Sequence, residues 1–276
     1  MISLLWFTAW RIVRLLPESS AYKLFEIGAR YVYRKNGRGV QRLRRNLHQV
    51  NPRISELEIR EAVSSYLRYW CDTFRMPNWN RTKIQSTVQI IGPDLLKETL
   101  DQKKPVIVAL PHSGNWDHAG AYYCSVGAQV TTVAERLKPE SVYQAFLKYR
   151  EKLGMEVLPL EPRVIALLAK RLKENKMVAL VADRDLTESG IEVTFFNRLA
   201  KMPAGPAALA QKTDATLLAA VVTFRKIGIA IEFEKIDCSG TLQEVTQRMA
   251  SAFENGISKR PVDWHMLQKI WIDDDF

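Results

Sequence analysis

The stretch LPHSGNWDHAG, residues 110–120, sets His112, Asp117 and His118 within seven positions behind an apolar run. A histidine followed five places later by an aspartate offers a general base and the carboxylate that fixes its tautomer. As spacing alone the pattern is weak. With four histidines and 30 acidic residues in 276, an acid falls five places after some histidine about one time in three. On one continuous helix the two side chains diverge by about 140° and do not meet. They meet if His112 stands on a turn and Asp117 in the first helical turn, with Gly114 relaxing the backbone between them. The competing reading is a plain helix start, in which Asn115 and Asp117 cap the helix and favour its positive end. A metal site fits less well, because His112 and His118 face away from each other on any helix and no second histidine pair or thiolate stands nearby. Cys124, inside the apolar AGAYYCSVG, and His265, among large apolar residues in DWHMLQ, read as core.

The elements that must position these groups follow from hydropathy. PVIVAL (105–110), MVALVA (177–182) and ATLLAAVVTF (215–224) are apolar runs of strand length, alternating with helical stretches at 141–152, 163–175 and 203–213. Uninterrupted apolar strands between helices predict a sheet buried on both faces. IGIAIEFEKI (227–236) alternates, with Ile227, Ile229, Ile231 and Phe233 on one side, which predicts a half-exposed strand in a hairpin with the run before it. Ser55 and Glu58 have capping-box spacing at the head of a helix that stops at Pro77. The expected fold is α/β: a mixed central sheet covered by helices, with a helical, membrane-facing N-terminal part. One domain is expected over 1–276, its basic helical subregion at 1–76 and its α/β core at 84–276. Functional groups in such sheets gather at the carboxyl ends of strands. His112 follows one apolar run and Asp183 another, so both emerge from such ends.

Composition narrows the partners. A chain 47% hydrophobic and 25% charged is globular, and three scattered cysteines, Cys71, Cys124 and Cys238, argue against a disulfide framework or zinc knuckle. The net charge of +10 is concentrated: from Ile27 to Ser55 there is no acid, while Arg30, Arg34, Lys35, Arg38, Arg42, Arg44 and Arg45 all fall there. Such a block wants an anionic partner, either a phospholipid surface or a nucleic acid. The preceding ISLLWFTAWRIVRLLP is interrupted by Arg11 and Arg14 too soon for a membrane span, and lacks a signal peptide's basic start and cleavage site. As a helix it shows a narrow polar stripe of Ser3, Thr8, Arg11 and Arg14 against a wide face of Leu4, Leu5, Trp6, Trp10, Val13 and Leu16. It suits a bilayer interface or the core equally; the polybasic flank favours an anionic membrane bound through 1–48. No nucleic-acid motif is present, and neither nucleic acid nor metal is expected as a partner.

Five blocks in order carry more information than the H-x4-D spacing. LPHSGNWDHAG, TVAERLKPESVYQAFLKYREKLGMEVLPL, ADRDLTESGIEVTFF, KMPAGPAALA and RPVDWHMLQKIW resemble the bacterial lipid A lauroyl/myristoyl acyltransferase family, part of the wider glycerolipid acyltransferase superfamily. Within it, TVAERLKPES and DRDLT are most similar to the members that acylate phosphatidylinositol mannosides. The resemblance implies transfer of a long-chain acyl group, expected to be palmitoyl, from acyl-CoA as co-substrate to a mannose hydroxyl of a mannosylated phosphatidylinositol. No other cofactor is implied. The setting would be the cytoplasmic face of the cell membrane, with the protein bound peripherally.

The same resemblance implies roles. His112 would take the hydroxyl proton, and Asp117, bonded to its other ring nitrogen, would fix the tautomer. Asp183 would touch the histidine or the acceptor sugar. Relatives tend to carry Glu there, so a shorter reach must be met by a closer backbone or a water; the alternative is a pair with Arg184. Glu135, Arg136 and Arg150 would line the site, against a bland alternative of a solvated charged face, and Ser113, Arg184 and Asp185 would contact substrate. Backbone amides of the 112–115 turn or a nearby arginine are open as oxyanion donors. Another glycolipid or a lysophospholipid as acceptor, a thioester hydrolase, and a silent membrane-binding homologue are the alternatives.

Overall fold

The apolar runs fold as strands between helices. The computed structural model describes residues 2–136, 139–185 and 187–273, with side chains from Thr8 onward except Ala9. In chain order the helices are α1 (Ile2–Leu15), α2 (Glu18–Lys35), α3 (Arg38–Val50), α4 (Glu56–Arg75), α5 (Arg81–Ser86), α6 (Leu95–Asp101), α7 (Trp116–Ser125), α8 (Glu140–Lys152), α9 (Val164–Lys173), α10 (Gly205–Thr213) and α11 (Leu242–Lys259). The strands are β1 (Val88–Ile91), β2 (Val106–Leu110), β3 (Val130–Ala134), β4 (Glu156–Pro159), β5 (Met177–Val181), β6 (Ile191–Phe195), β7 (Arg198–Met202), β8 (Thr216–Phe224) and β9 (Ile229–Ile236).

Seven strands form one mixed sheet in the order β1-β9-β8-β2-β5-β3-β4, parallel between neighbours except for the antiparallel β8–β9 pair. β6 and β7 make a separate hairpin. Central β2 is buried at every position. Its Ile107 and Ala109 enter a core shared with α3, α4, α9, α10 and α11, while Val106, Val108 and Leu110 enter a second core under α6 and α7. This two-sided burial, about 1.5–3 kcal/mol for each fully buried Val, Leu or Ile, makes the carboxyl end of β2 a rigid mount.

β9 departs from the expected strict alternation. Ile229, Ala230, Ile231 and Phe233 are all buried and only Glu234 and Lys235 are exposed. Its first half is flanked by β1 and β8 and touched by both α6 and α11, so both of its faces are covered there. α4 starts with the expected reciprocal capping box between Ser55 and Glu58.

α1 has both a core side and an outward side. Trp10 and Val13 are buried, and the Trp10 indole donates to the Phe74 carbonyl at 3.0 Å; Ile12 and Leu15 are 52% and 85% exposed. The side chains of Ser3, Leu4, Leu5 and Trp6, on which part of the amphipathic reading rests, lie outside the described residues. Among the described residues no helix is long and apolar enough to cross a membrane.

Candidate active site

Register brings the two strand ends together. In the parallel β2–β5 pair Leu110 lies opposite Val181. His112 and Asp183 are each the second residue beyond these partners, so a strand spacing of about 4.8 Å sets them side by side. The Ala182 N–H donates to the Leu110 carbonyl at 2.8 Å and extends the ladder to the site.

The turn that carries His112 is tied down on every side. Ser113 donates its N–H to Pro111 at 2.7 Å and its Oγ–H to the Val222 carbonyl at 2.8 Å. Gly114 has φ +58°, and a Cβ there would lie 2.5 Å from the Val222 carbonyl oxygen, so only glycine fits. A strap of residues 263–265 closes over the turn: Gly114 N–H donates to the Asp263 carbonyl at 2.9 Å and His265 N–H to the His112 carbonyl at 2.7 Å. Asn115 caps α7, its side chain accepting from His118 N–H at 3.0 Å.

His112 Nδ1 stands 2.6 Å from Asp183 Oδ1, and the His112 backbone N–H donates to Asp183 Oδ2 at 2.9 Å. Trp264 Nε1–H donates to the same Oδ2, also at 2.9 Å. Burial acts to raise the Asp183 carboxyl; the His112 charge and ring N–H, with the Trp264 and His112 peptide donors, outweigh it and hold the carboxyl below its ordinary range. A carboxylate at Nδ1 requires a proton there, which leaves Nε2 with its lone pair free. The ring is 40% exposed while the Asp183 side chain is fully buried, so the dyad has one outward-facing basic atom on a buried anchor. The reach of Asp183 is sufficient without a bridging water.

Asp117 does not orient His112, contrary to the expectation from the spacing. Its Oδ1 accepts from Arg150 Nε at 2.8 Å and its Oδ2 from the Tyr69 hydroxyl at 3.1 Å. In the first turn of α7 it points towards α8 and α4, whereas His112 points to the neighbouring strand end. Both partners are largely buried, at 2% for Asp117 and 18% for Arg150. Burial disfavours the Arg150 charge, and the adjacent Asp117 more than restores it.

The other expected contacts divide. Ser113 is buried and spent on Val222. Arg136 is exposed and pairs along its own segment with Glu140; Glu135 is exposed beside it. Arg184 does not pair with Asp183 but donates Nε–H to the Lys269 carbonyl at 2.9 Å, bracing the C-terminal strap. Asp185 holds its own loop, its N–H on the Lys201 carbonyl and its Oδ1 accepting from Thr187 N–H, both at 2.8 Å. His265 is packed as expected, its Nε2 2.9 Å from Ser65 Oγ, and burial, then the charge of His112, pushes its pKa down to about 3. No group of three or more metal-ligating side chains occurs among the described residues.

Trp264, not among the residues expected at the site, supports the dyad; its signal is a tryptophan between Asp263 and His265 in a segment otherwise read as core. Beside the site, between α7 and the sheet, lies a small apolar cavity walled by Val108, Leu110, Trp116, Gly120, Met155 and Phe233. Trp116 links the two: its ring stands edge-to-face with His112, centroids 5.4 Å apart.

A histidine–carboxylate pair at adjacent carboxyl ends of a helix-covered mixed sheet, next to an apolar cavity, is an arrangement suited to acyl transfer. The chain belongs to the bacterial lipid A biosynthesis acyltransferase family, whose model matches residues 1–272. Among curated proteins it is similar to the phosphatidylinositol mannoside acyltransferase of Mycolicibacterium smegmatis, 43% identical over 96% of this chain and 90% of the relative. It is similar as well to that of Mycobacterium tuberculosis, 42% identical over 96% of this chain and 87% of the relative.

Proposed function

We propose that this acyltransferase moves a long-chain acyl group, palmitoyl in the first instance, from acyl-CoA to a mannose hydroxyl of a phosphatidylinositol mannoside at the membrane surface. The acceptor follows from the names of the similar proteins. The chemistry rests on one observation: an outward His112 Nε2 on a ring anchored through Nδ1 by a buried carboxylate.

Neutral His112 takes the proton of the attacking hydroxyl through Nε2. The hydroxyl oxygen bonds to the thioester carbonyl carbon, and the carbonyl π pair moves onto its oxygen. Collapse of the tetrahedral species breaks the C–S bond, and the imidazolium returns its proton to the departing thiolate. Asp183 positions the ring and favours the imidazolium formed between these events. The substrate hydroxyl occupies the place of a hydrolase's serine, so no acyl-enzyme is needed. The apolar cavity under α7 marks where the acyl chain docks.

The membrane contact is the outward side of α1 and α2. Ile12, Leu15, Leu24, Ile27 and Tyr31 are exposed there, beside the basic Arg11, Arg34 and Lys35. Apolar side chains next to arginines and lysines suit the boundary of an anionic bilayer, on its cytoplasmic face.

The test is incubation with palmitoyl-CoA and a mannosylated phosphatidylinositol. Acylated glycolipid supports the reading; free fatty acid without it would make the protein a thioester hydrolase, and no turnover would make it a binding protein.

A further inference from the structure

Acyl transfer puts negative charge on the carbonyl oxygen, which requires a hydrogen-bond donor fixed in advance. Four polar hydrogens of the turn after β2 are already committed. His112 N–H is bonded to Asp183, Ser113 N–H to Pro111, Gly114 N–H to Asp263 and Ser113 Oγ–H to Val222. The buried Asn115 amide nitrogen lies beside the Asp72 carboxylate and makes no hydrogen bond.

One of the unpartnered buried donors among the described residues meets the histidine ring. The Trp116 indole Nε1 is buried and has no hydrogen-bond partner. A buried N–H without an acceptor is costly to a fold and calls for an explanation. This one belongs to a ring that walls the apolar cavity on one side and meets the His112 ring on the other. We infer that the Trp116 indole N–H donates to the thioester carbonyl oxygen, and is a catalytic residue of the acyl-transfer step. The inference rests on the function proposed above.

It also gives Asp117 a task. Trp116 stacks on Tyr69 with centroids 4.3 Å apart and 24° between planes. The Tyr69 hydroxyl donates to Asp117, which Arg150 holds in turn. The acid of the H-x4-D motif is thus a positioning residue acting on the indole through Tyr69, while Asp183 positions the histidine. The two carboxylates serve the two ends of one reaction, proton removal and charge stabilisation.

The decisive variant replaces Trp116 with β-(3-benzothienyl)alanine, which keeps the bicyclic shape and stacking but has sulfur in place of N–H. We expect kcat to fall about 10²–10³-fold, as for loss of one oxyanion donor. The KM for palmitoyl-CoA, the melting temperature and the binding of S-hexadecyl-CoA, a thioether without a carbonyl, should stay within about twofold of the parent, the scatter of such assays. A kcat within twofold of the parent overturns the inference, as does a fall in thioether binding that accounts for the whole loss of rate.

A second measurement needs no turnover. In ¹⁵N-tryptophan-labelled protein, with the Trp116 indole signal assigned from Trp116→Phe, a CoA thioether bearing a ketone at the carbonyl position should shift that signal, and S-hexadecyl-CoA should not. An unmoved signal with the ketone bound refutes the donor role. Absence of acyl transfer by the parent, with the ketone shift present, instead strikes at the proposed function and leaves the donor in place.

Discussion

Replacing Asp183 by asparagine changes one atom and should reverse the histidine's tautomer. Asp183 Oδ2 accepts two donors, the His112 peptide N–H and Trp264 Nε1–H, each at 2.9 Å, while Oδ1 accepts one, from His112 Nδ1 at 2.6 Å. In Asp183→Asn the amide oxygen satisfies more donors in the Oδ2 position. The amide nitrogen then faces Nδ1 and donates to it, the ring proton moves to Nε2, and the atom that must accept the substrate proton no longer can. By analogy with a serine-protease triad the rate should fall about 10⁴-fold, or about 5.5 kcal/mol at 1.36 kcal/mol per decade.

Asp117→Asn is the necessary companion. It leaves the dyad intact but strips the buried Arg150 of its counter-charge, an error typically costing about 3–5 kcal/mol of stability. The pair of variants is assayed by palmitoyl transfer per folded molecule and by thermal unfolding. Asp183→Asn should lose nearly all activity with a small change in melting temperature, and Asp117→Asn should lose stability and retain more of its rate. If Asp117→Asn lost about 10⁴-fold at an unchanged melting temperature while Asp183→Asn kept a tenth of the parent rate, the assignment of the two carboxylates would be wrong.

Trp264→Phe keeps an aromatic ring in a fully buried place but removes one charge-assisted bond to Asp183, worth about 1.5–3 kcal/mol, so transfer should slow by about 10–100-fold. An unchanged rate in the same assay would reduce Trp264 to packing. Gly114→Ala forces both a left-handed backbone and a Cβ 2.5 Å from the Val222 carbonyl oxygen; it should lower the melting temperature and abolish transfer, and a soluble variant with parent activity would contradict that geometry. Acid should destabilise the fold before most carboxylates titrate. Burial depresses His118 to about 4 and His265 to about 3, so each contributes stability that is present above the unfolded value of 6.5 and lost as pH falls towards those figures. Asp72, raised by burial to about 6, and Asp263, also raised by burial, act with the opposite sign and offset part of that loss. Denaturant unfolding across that range checks the slope, and a flat profile argues against it. Substituting Ile12 and Leu15, both exposed on α1, with aspartate should weaken sedimentation with anionic vesicles and leave binding of S-hexadecyl-CoA intact; equal sedimentation would remove α1 from the membrane contact.

Legibility in the sequence followed the range of the interaction. The capping box of Ser55 and Glu58, the Asn115 helix start and the apolar strands β2, β5 and β8 are local patterns, and each lies within about two residues of its expected place. The sequence also singled out His112 and Asp183, as polar residues at the ends of apolar runs. What misled was proximity along the chain: Asp117 lies five residues from His112 and Asp183 seventy-one, yet the ring nitrogen belongs to the distant one.

Sequence by itself thus determined the α/β class, the strand ends where chemistry gathers, and the residue types available there. Only the tertiary structure decided which acid serves the base. That choice depends on strand order, β2 beside β5 with Leu110 opposite Val181, and on a strap from the far end of the chain that delivers Trp264 to the same carboxylate. Strand neighbours and strap contacts are set by burial summed over the whole core, which no short window of sequence contains.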